Sequence, residues 1–97
     1  MQFVEAKYDY PTRRPDGAPI VPHPKPGSPA HERGIKVHDH VSYNYHDLHL
    51  KSFSGVGKVI GHVHNKEPKS QDVVIHDEKR GSVVFVDSKN VRRKGKK

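Results

Sequence analysis

The sequence predicts one small all-β domain, on three observations. Hydrophobic residues make up 31% of the 97 residues and charged residues 30%, so any core is small. Valine-rich runs alternate with glycine and polar turns, as is typical of short strands. No segment keeps the apolar spacing of an amphipathic helix. An all-β domain with few residues in its core is the fold class that fits all three.

The N-terminal third is dominated by proline. Seven of the eight prolines lie between Pro11 and Pro29. Because proline fixes φ and lacks an N–H donor, we expect neither a helix nor a central strand there. Residues 1–33 are predicted to be an extended arm that is disordered in isolation or orders on a partner. The arm's candidate anchors are its large apolar side chains: Phe3, Tyr8, Tyr10, Ile20 and Val21.

Strand patterns begin after the prolines. The predicted strands are residues 34–45, 55–64, 72–76 and 82–87. In the first strand the apolar residues share the odd-numbered face: Ile35, Val37, Val41, Tyr43 and Tyr45. Gly57 and Gly61 predict that the second strand is strongly bent. Residues 77–81 predict a tight hairpin that ends in glycine, and residues 88–91 one helical turn capped by Ser88.

This order of elements resembles a small SH3-like barrel. The runs 55–61, 72–75 and 83–87 are similar to the KOW and Tudor groups of that superfamily, as is Asn90-Val91 after the last strand. The resemblance covers about residues 34–93. It implies a barrel of four to five strands over residues 34–91, with a basic tail at 92–97. Barrels of this kind commonly bind RNA, DNA, ribosomes, polymerases or modified peptides, and some are purely structural.

Two activities found among such barrels are disfavoured by the residues present. A Tudor cage for methylated side chains needs several exposed rings. The candidate rings are Tyr43, Tyr45, Phe53 and Phe85. Tyr43 is expected to face the core. The plasmid-type dihydrofolate reductase carries Gln-Ile-Tyr late in its barrel, where this chain has Val84-Phe85-Val86.

Positive charge is concentrated at the C-terminal end. Residues 1–78 contain ten Lys or Arg and ten Asp or Glu, whereas residues 79–97 contain eight and one, so the excess of +7 arises there. This asymmetry predicts an anionic partner, with a merely solubilising tail as the simpler alternative. We expect a nucleic-acid site, for RNA or DNA, in which cations contact phosphates and aromatic rings stack on bases. The candidate residues are Lys58, Lys79, Arg80, Lys89, Arg92, Arg93, Lys94, Tyr45 and Phe53.

A second hypothesis comes from the apolar strands. Val73-Val74-Ile75 and Val83-Val84-Phe85-Val86 are apolar on both strand faces, yet a small barrel has one interior. The other face needs a cover: the arm itself, a second copy, or a larger assembly. The alternative function is therefore a structural or assembly protein, such as a phage capsid-decorating or scaffold component, that docks through its barrel and arm.

Histidine pairs are the weak candidates for a metal site. His38 with His40, and His62 with His64, have the spacing that places two imidazoles on one strand face. No cysteine or fixed third ligand accompanies them, so we expect no metal and no cofactor.

Catalysis and membrane insertion have no signature here. The serines lie in no nucleophile elbow, no spacing enforces a triad, and no phosphate-cradling loop is present. The start of the chain lacks an apolar signal run, and no stretch is long enough for a membrane span. We expect a non-catalytic protein that is cytoplasmic, or part of a virion under the assembly hypothesis.

Overall fold

The computed structural model describes residues 10–46 and 52–94. Its elements in chain order are helix α1 (Pro29–Glu32), β1 (His40–His46), β2 (Ser52–His64), β3 (Gln71–Asp77), β4 (Ser82–Asp87), a 3₁₀ turn (Ser88–Asn90) and β5 (Val91–Arg93). The predicted all-β class is confirmed. Within the described ranges, no helix has the length and apolarity that crossing a membrane requires.

All five strands belong to one antiparallel sheet in the order β4-β3-β2-β1-β5. The 13-residue strand β2 organises this sheet, because its first half pairs with β1 and its second half with β3. Lys58 belongs to both ladders, opposite His40 of β1 and His76 of β3. Closure of the sheet into a barrel stays a prediction.

A register shift interrupts β2 between Val59 and Gly61. Val59 pairs with Ile75 and Gly61 with Val74, so Ile60 is the extra residue of a β-bulge. The irregularity expected from the strand's glycines therefore lies at Gly61. Because the extra residue shifts the alternation, even-numbered positions of β2 face the main core after the bulge.

The sheet has an apolar cluster on each face. The main core consists of Ala30, Ile35, Val41, Tyr43, Val59, Val73, Ile75, Val84, Val86 and Val91. The second core consists of Val63, Val74 and Val83, with Ala18, Ile20, Ile60 and Phe85 packed against it. The doubly apolar strands are thus covered on both sides. Ala18 and Ile20 show that the chain's own N-terminal segment supplies part of the second cover.

Hydrogen bonds attach this segment to the sheet. Val21 and His62 exchange two backbone hydrogen bonds of 2.8 Å, on the edge of β2 that β1 does not reach. Lys25 N donates to Gln71 Oε1 at 3.0 Å. Arg14 donates to Asp72 at 2.8 Å. Of the expected anchors, Ile20, Val21 and Tyr10 lie within the described residues, whereas Phe3 and Tyr8 lie outside them.

Helix α1 is a short element that the proline-rich composition did not predict. Ser28 Oγ accepts a hydrogen bond from His31 N at 3.2 Å, and Pro29 occupies the first turn, where its missing N–H costs nothing. Ala30 is fully buried in the main core. A cap, a proline and one apolar contact suffice for a single turn, which is too short to show helical periodicity.

Strand β1 begins later than expected. Gly34 and His38 have φ values of 71° and 82°, so residues 34–39 form turns and β1 begins at His40. Ile35 and Tyr43 are nevertheless buried in the main core, as the odd-numbered pattern predicted.

The end of the fold differs from the sequence prediction in two details. The expected helical turn is the 3₁₀ turn, but its cap is Asp87 and not Ser88. Asp87 Oδ1 accepts a hydrogen bond from Lys89 N at 3.0 Å. Residues Val91–Arg93 form β5 against β1, so Arg92 and Arg93 lie in a strand.

Candidate nucleic-acid interface

Strand pairing places basic side chains beside one another on the outer face of the sheet, the face opposite the main core. Lys58 lies directly opposite His40, and Lys94 N donates to His40 O at 3.0 Å. Because paired positions in antiparallel strands present their side chains on the same face, the three residues form one row across β5, β1 and β2. This row joins three chain segments that are separated in sequence.

The next row on the same face carries Arg92. It pairs with Ser42, which in turn pairs with Val56. Arg92 and Lys94 are exposed, and they alternate with Arg93 on β5, so both belong to the outer face.

A cleft of about 240 Å³ opens beside the first row. The described residues that line it are His40, Val56, Gly57, Lys58, Glu78, Lys79 and Lys94. Three lysines thus meet at one cleft with Glu78 as the single acid in its lining. They come from β2, from the β3–β4 hairpin and from the residue that follows β5.

The β3–β4 hairpin is fixed by its own turn. Gly81 has a φ of 70°, and its N–H donates to Asp77 O at 2.8 Å. Asp77 Oδ1 accepts from Arg80 N at 3.1 Å. The hairpin predicted over residues 77–81 is confirmed. Its turn presents Lys79 and Arg80 as exposed side chains beside β2.

Arg80 borders a second depression next to the first cleft, lined by Ser54, Gly55, Val56, Asp77, Lys79 and Arg80. The guanidinium donates to Ser54 O at 3.4 Å and lies 3.7 Å from Asp77 Oδ2. Lys79 and Val56 line both depressions. We call the cations of this continuous surface the cationic face: Lys58, Lys79, Arg80, Arg92 and Lys94.

Two predicted cations lie away from the cationic face. Arg93 faces Asp39, with 3.7 Å between its Nε and Asp39 Oδ2, on the side of β5 that also carries Val91. Lys89 belongs to the 3₁₀ turn, where its carbonyl accepts a hydrogen bond from Arg33 at 3.3 Å. The remaining tail residues, 95–97, lie outside the described residues.

Of the two predicted stacking rings, only that of Phe53 is described, and it is not placed with the lysines. Phe53 pairs with Tyr45, and the side chain of Tyr45 lies outside the described part of the chain. Odd-numbered and even-numbered positions in this part of β2 lie on opposite faces of the sheet. Phe53 therefore lies on the same face as Gly55, and Lys58 lies on the other face.

The candidates for a methyl-ligand cage whose side chains the structure describes are also dispersed. Tyr43 is 2% exposed in the main core, as expected, and Phe85 packs on the second core.

Another aromatic residue does lie beside the cationic face. The ring centroids of Tyr10 and His76 are 5.2 Å apart at an interplanar angle of 58°, and His76 pairs with Lys58. Tyr10 was expected only as an anchor for a partner, and His76 had no assigned role. No sequence signal connects two residues separated by 66 positions.

The histidine pairs do not form a shared metal site. His38 precedes β1 with its φ of 82°, so it does not share a strand face with His40. His62 is fully buried and His64 is exposed. Among the residues that the structure describes, no three His, Asp or Glu side chains are grouped as metal ligands would be.

His62 is instead a core residue. Within the described residues, no well-formed hydrogen bond reaches either ring nitrogen. Burial lowers the pKa of His62 from 6.5 to about 4; electrostatic interaction with the His64 and His23 side chains acts in the same direction, and a polar contact with the Gln71 side chain acts against it. The imidazole is therefore neutral at pH 7.

No protein-family model, curated protein or solved structure matches the chain. The SH3-like resemblance stays a prediction.

Proposed function

We propose that this chain is a non-catalytic nucleic-acid-binding protein that contacts phosphates through the cationic face. The observation that supports the proposal is the meeting of Lys58, Lys79 and Lys94 at one cleft. These residues come from three separate segments, and only the fold brings them together.

The electrostatics of this surface suit a polyanion. Lys79 and Lys94 are exposed and Lys58 is half-buried, so their ammonium groups approach phosphates with little loss of hydration. Neighbouring strands are about 5 Å apart, which spaces the row of Lys94, His40 and Lys58 over roughly 10 Å. Each phosphate contact releases a counterion, and the logarithm of the binding constant falls by about 0.7 to 0.9 per contact for each tenfold rise in salt.

The test compares two variants of equal charge. Lys58→Glu, Lys79→Glu and Lys94→Glu together remove the cations of the cleft. Three exposed lysines elsewhere serve as the matched control, changed to Glu together: Lys36, Lys66 and Lys89. Fluorescence anisotropy with labelled oligonucleotides at two salt concentrations measures the affinity and its salt dependence. We expect the first variant to lose binding and the second to keep most of it.

Two results would contradict the proposal. Equal losses in the two variants would mean that overall charge, and not the cleft, drives binding. No binding by the unaltered chain at low salt would remove nucleic acid as the partner and leave the structural or assembly alternative.

That alternative starts from an apolar second sheet face that needs a cover, and of the covers considered, the chain's own arm supplies Ala18 and Ile20. A location in the cytoplasm, or in a virion under the assembly alternative, stays a prediction.

A further inference from the structure

Two large apolar side chains are exposed among the described residues, Tyr10 at 38% and Val56 at 44%. Both flank Lys58. Val56 precedes Lys58 by two positions on the same face of β2. Tyr10 lies against His76, which is the ladder partner of Lys58 in β3. The apolar exposure of the described chain is thus concentrated at the cationic face.

The Tyr10 ring is held in place by a neighbour. It lies against the His76 imidazole, and its hydroxyl is 3.5 Å from His76 Nδ1. His76 is half-buried and is held between Lys58 and Val83 in adjacent strands. A ring fixed before binding loses little conformational entropy when a ligand stacks on it.

An exposed ring beside a row of cations distinguishes two kinds of nucleic acid. A duplex presents its phosphates while its bases remain stacked inside, so Tyr10 adds little to its binding. A single strand offers unpaired bases together with its phosphates, and stacking of one base on an aromatic side chain contributes about 1–3 kcal/mol.

We propose that the cationic face takes a single-stranded nucleic acid, with one base stacked on Tyr10 and the adjacent phosphates on Lys58 and Lys94. This inference rests on the proposed function and specifies its ligand class. Val56, between Lys58 and the second depression, supplies an apolar contact for a neighbouring base or sugar.

The experiment uses the full chain and labelled oligonucleotides of about 12 nucleotides, single-stranded and as the matching duplex, within the usual range of site sizes. Tyr10→Ala removes the ring, and Tyr10→Phe is the matched control that keeps it. We expect the unaltered chain to bind the single strand more tightly than the duplex at equal salt. Tyr10→Ala weakens single-strand binding by roughly 5- to 150-fold. Single-strand binding by Tyr10→Phe changes little. Duplex binding changes little in both variants.

A second readout reports stacking directly. The chain contains no tryptophan, so Tyr10→Trp introduces a single tryptophan whose fluorescence can be excited selectively. We expect quenching of this fluorescence when the single strand is added and much less when the duplex is added. Circular dichroism and urea unfolding confirm that each variant is folded.

The outcomes separate this inference from the proposed function. Duplex binding as tight as single-strand binding, or an equal effect of Tyr10→Ala on both, overturns the single-strand inference while phosphate binding survives. Absence of binding to either ligand at low salt overturns both. Loss of single-strand binding in Tyr10→Phe as well as Tyr10→Ala also rejects stacking, because the ring is still present.

Discussion

The Tyr43 hydroxyl donates a hydrogen bond to the buried carboxylate of Asp77. Both side chains are 2% exposed. A Cβ added at Gly55 would lie 2.7 Å from the Tyr43 hydroxyl oxygen and 2.7 Å from Asp77 Oδ2. The contact joins β1 to the start of the β3–β4 hairpin across β2. It thereby helps to set Lys79 and Arg80 beside Lys58, which connects the core of the protein to its candidate interface.

Tyr43→Phe tests this connection. Removing the hydroxyl deprives a buried carboxylate of a donor, so we expect the free energy of unfolding to fall by about 1–3 kcal/mol. Urea denaturation followed by circular dichroism measures it. Tyr10→Phe, which removes an exposed hydroxyl, is the control and should change stability by less than about 0.5 kcal/mol. Equal stability of Tyr43→Phe and the unaltered chain would show that Asp77 does not depend on this donor.

Gly61 allows the N-terminal segment to pack closely against the sheet. A Cβ at this position would lie 2.3 Å from Ile20 Cγ2 and 3.3 Å from Val21 O. We expect Gly61→Ala to destabilise the fold by about 1–3 kcal/mol through overpacking. In an Ile20→Ala background the same substitution should cost clearly less, since the obstructing methyl is gone. Strict additivity of the two substitutions in a double-mutant cycle would contradict the close approach.

His62 makes stability depend on pH. The unfolded chain takes up a proton at the ordinary pKa of 6.5, whereas the folded chain does so only at about 4. We therefore expect the contribution of His62 to the free energy of unfolding to be fully present above pH 6.5 and to be lost as the pH is lowered from there to about 4, by about 3 kcal/mol.

The matched comparison for this pH dependence is His62→Leu, which retains the other histidines. Urea unfolding between pH 7 and pH 4 should show a smaller loss of stability in the variant. Parallel profiles for the two proteins would mean that other groups account for the pH dependence.

Deletion of residues 1–21 tests the role of the N-terminal segment as a cover. The deletion removes Ala18 and Ile20 from the second core and the Arg14 contact with Asp72, so Val63 and Val74 become exposed. We expect the shortened chain to self-associate with rising concentration in light scattering, more than the full chain does. The opposite result, an oligomer of the full chain that the deletion dissolves, would favour the assembly alternative.

Local signals predicted much of the fold. The valine-rich run 82–87 is β4 with the expected bounds, and the hairpin over 77–81 forms as its terminal glycine indicated. These features depend on alternation and turn chemistry within a few residues. The candidate site was only partly predictable. Lys58, Lys79, Arg80, Arg92 and Lys94 lie on one surface, but Lys89 and Arg93 are positioned by contacts with Arg33 and Asp39.

The sequence by itself determined the all-β class, the excess of positive charge towards the C-terminus and the need for a cover on a second apolar face. Tertiary structure alone decided that Ala18 and Ile20 supply that cover, that His62 enters the core after the bulge at Ile60, and that Tyr10 lies against His76, the ladder partner of Lys58. The physical reason is strand register. One extra residue in a strand changes which side chains share a face, and pairing between distant segments sets the neighbours of each cation.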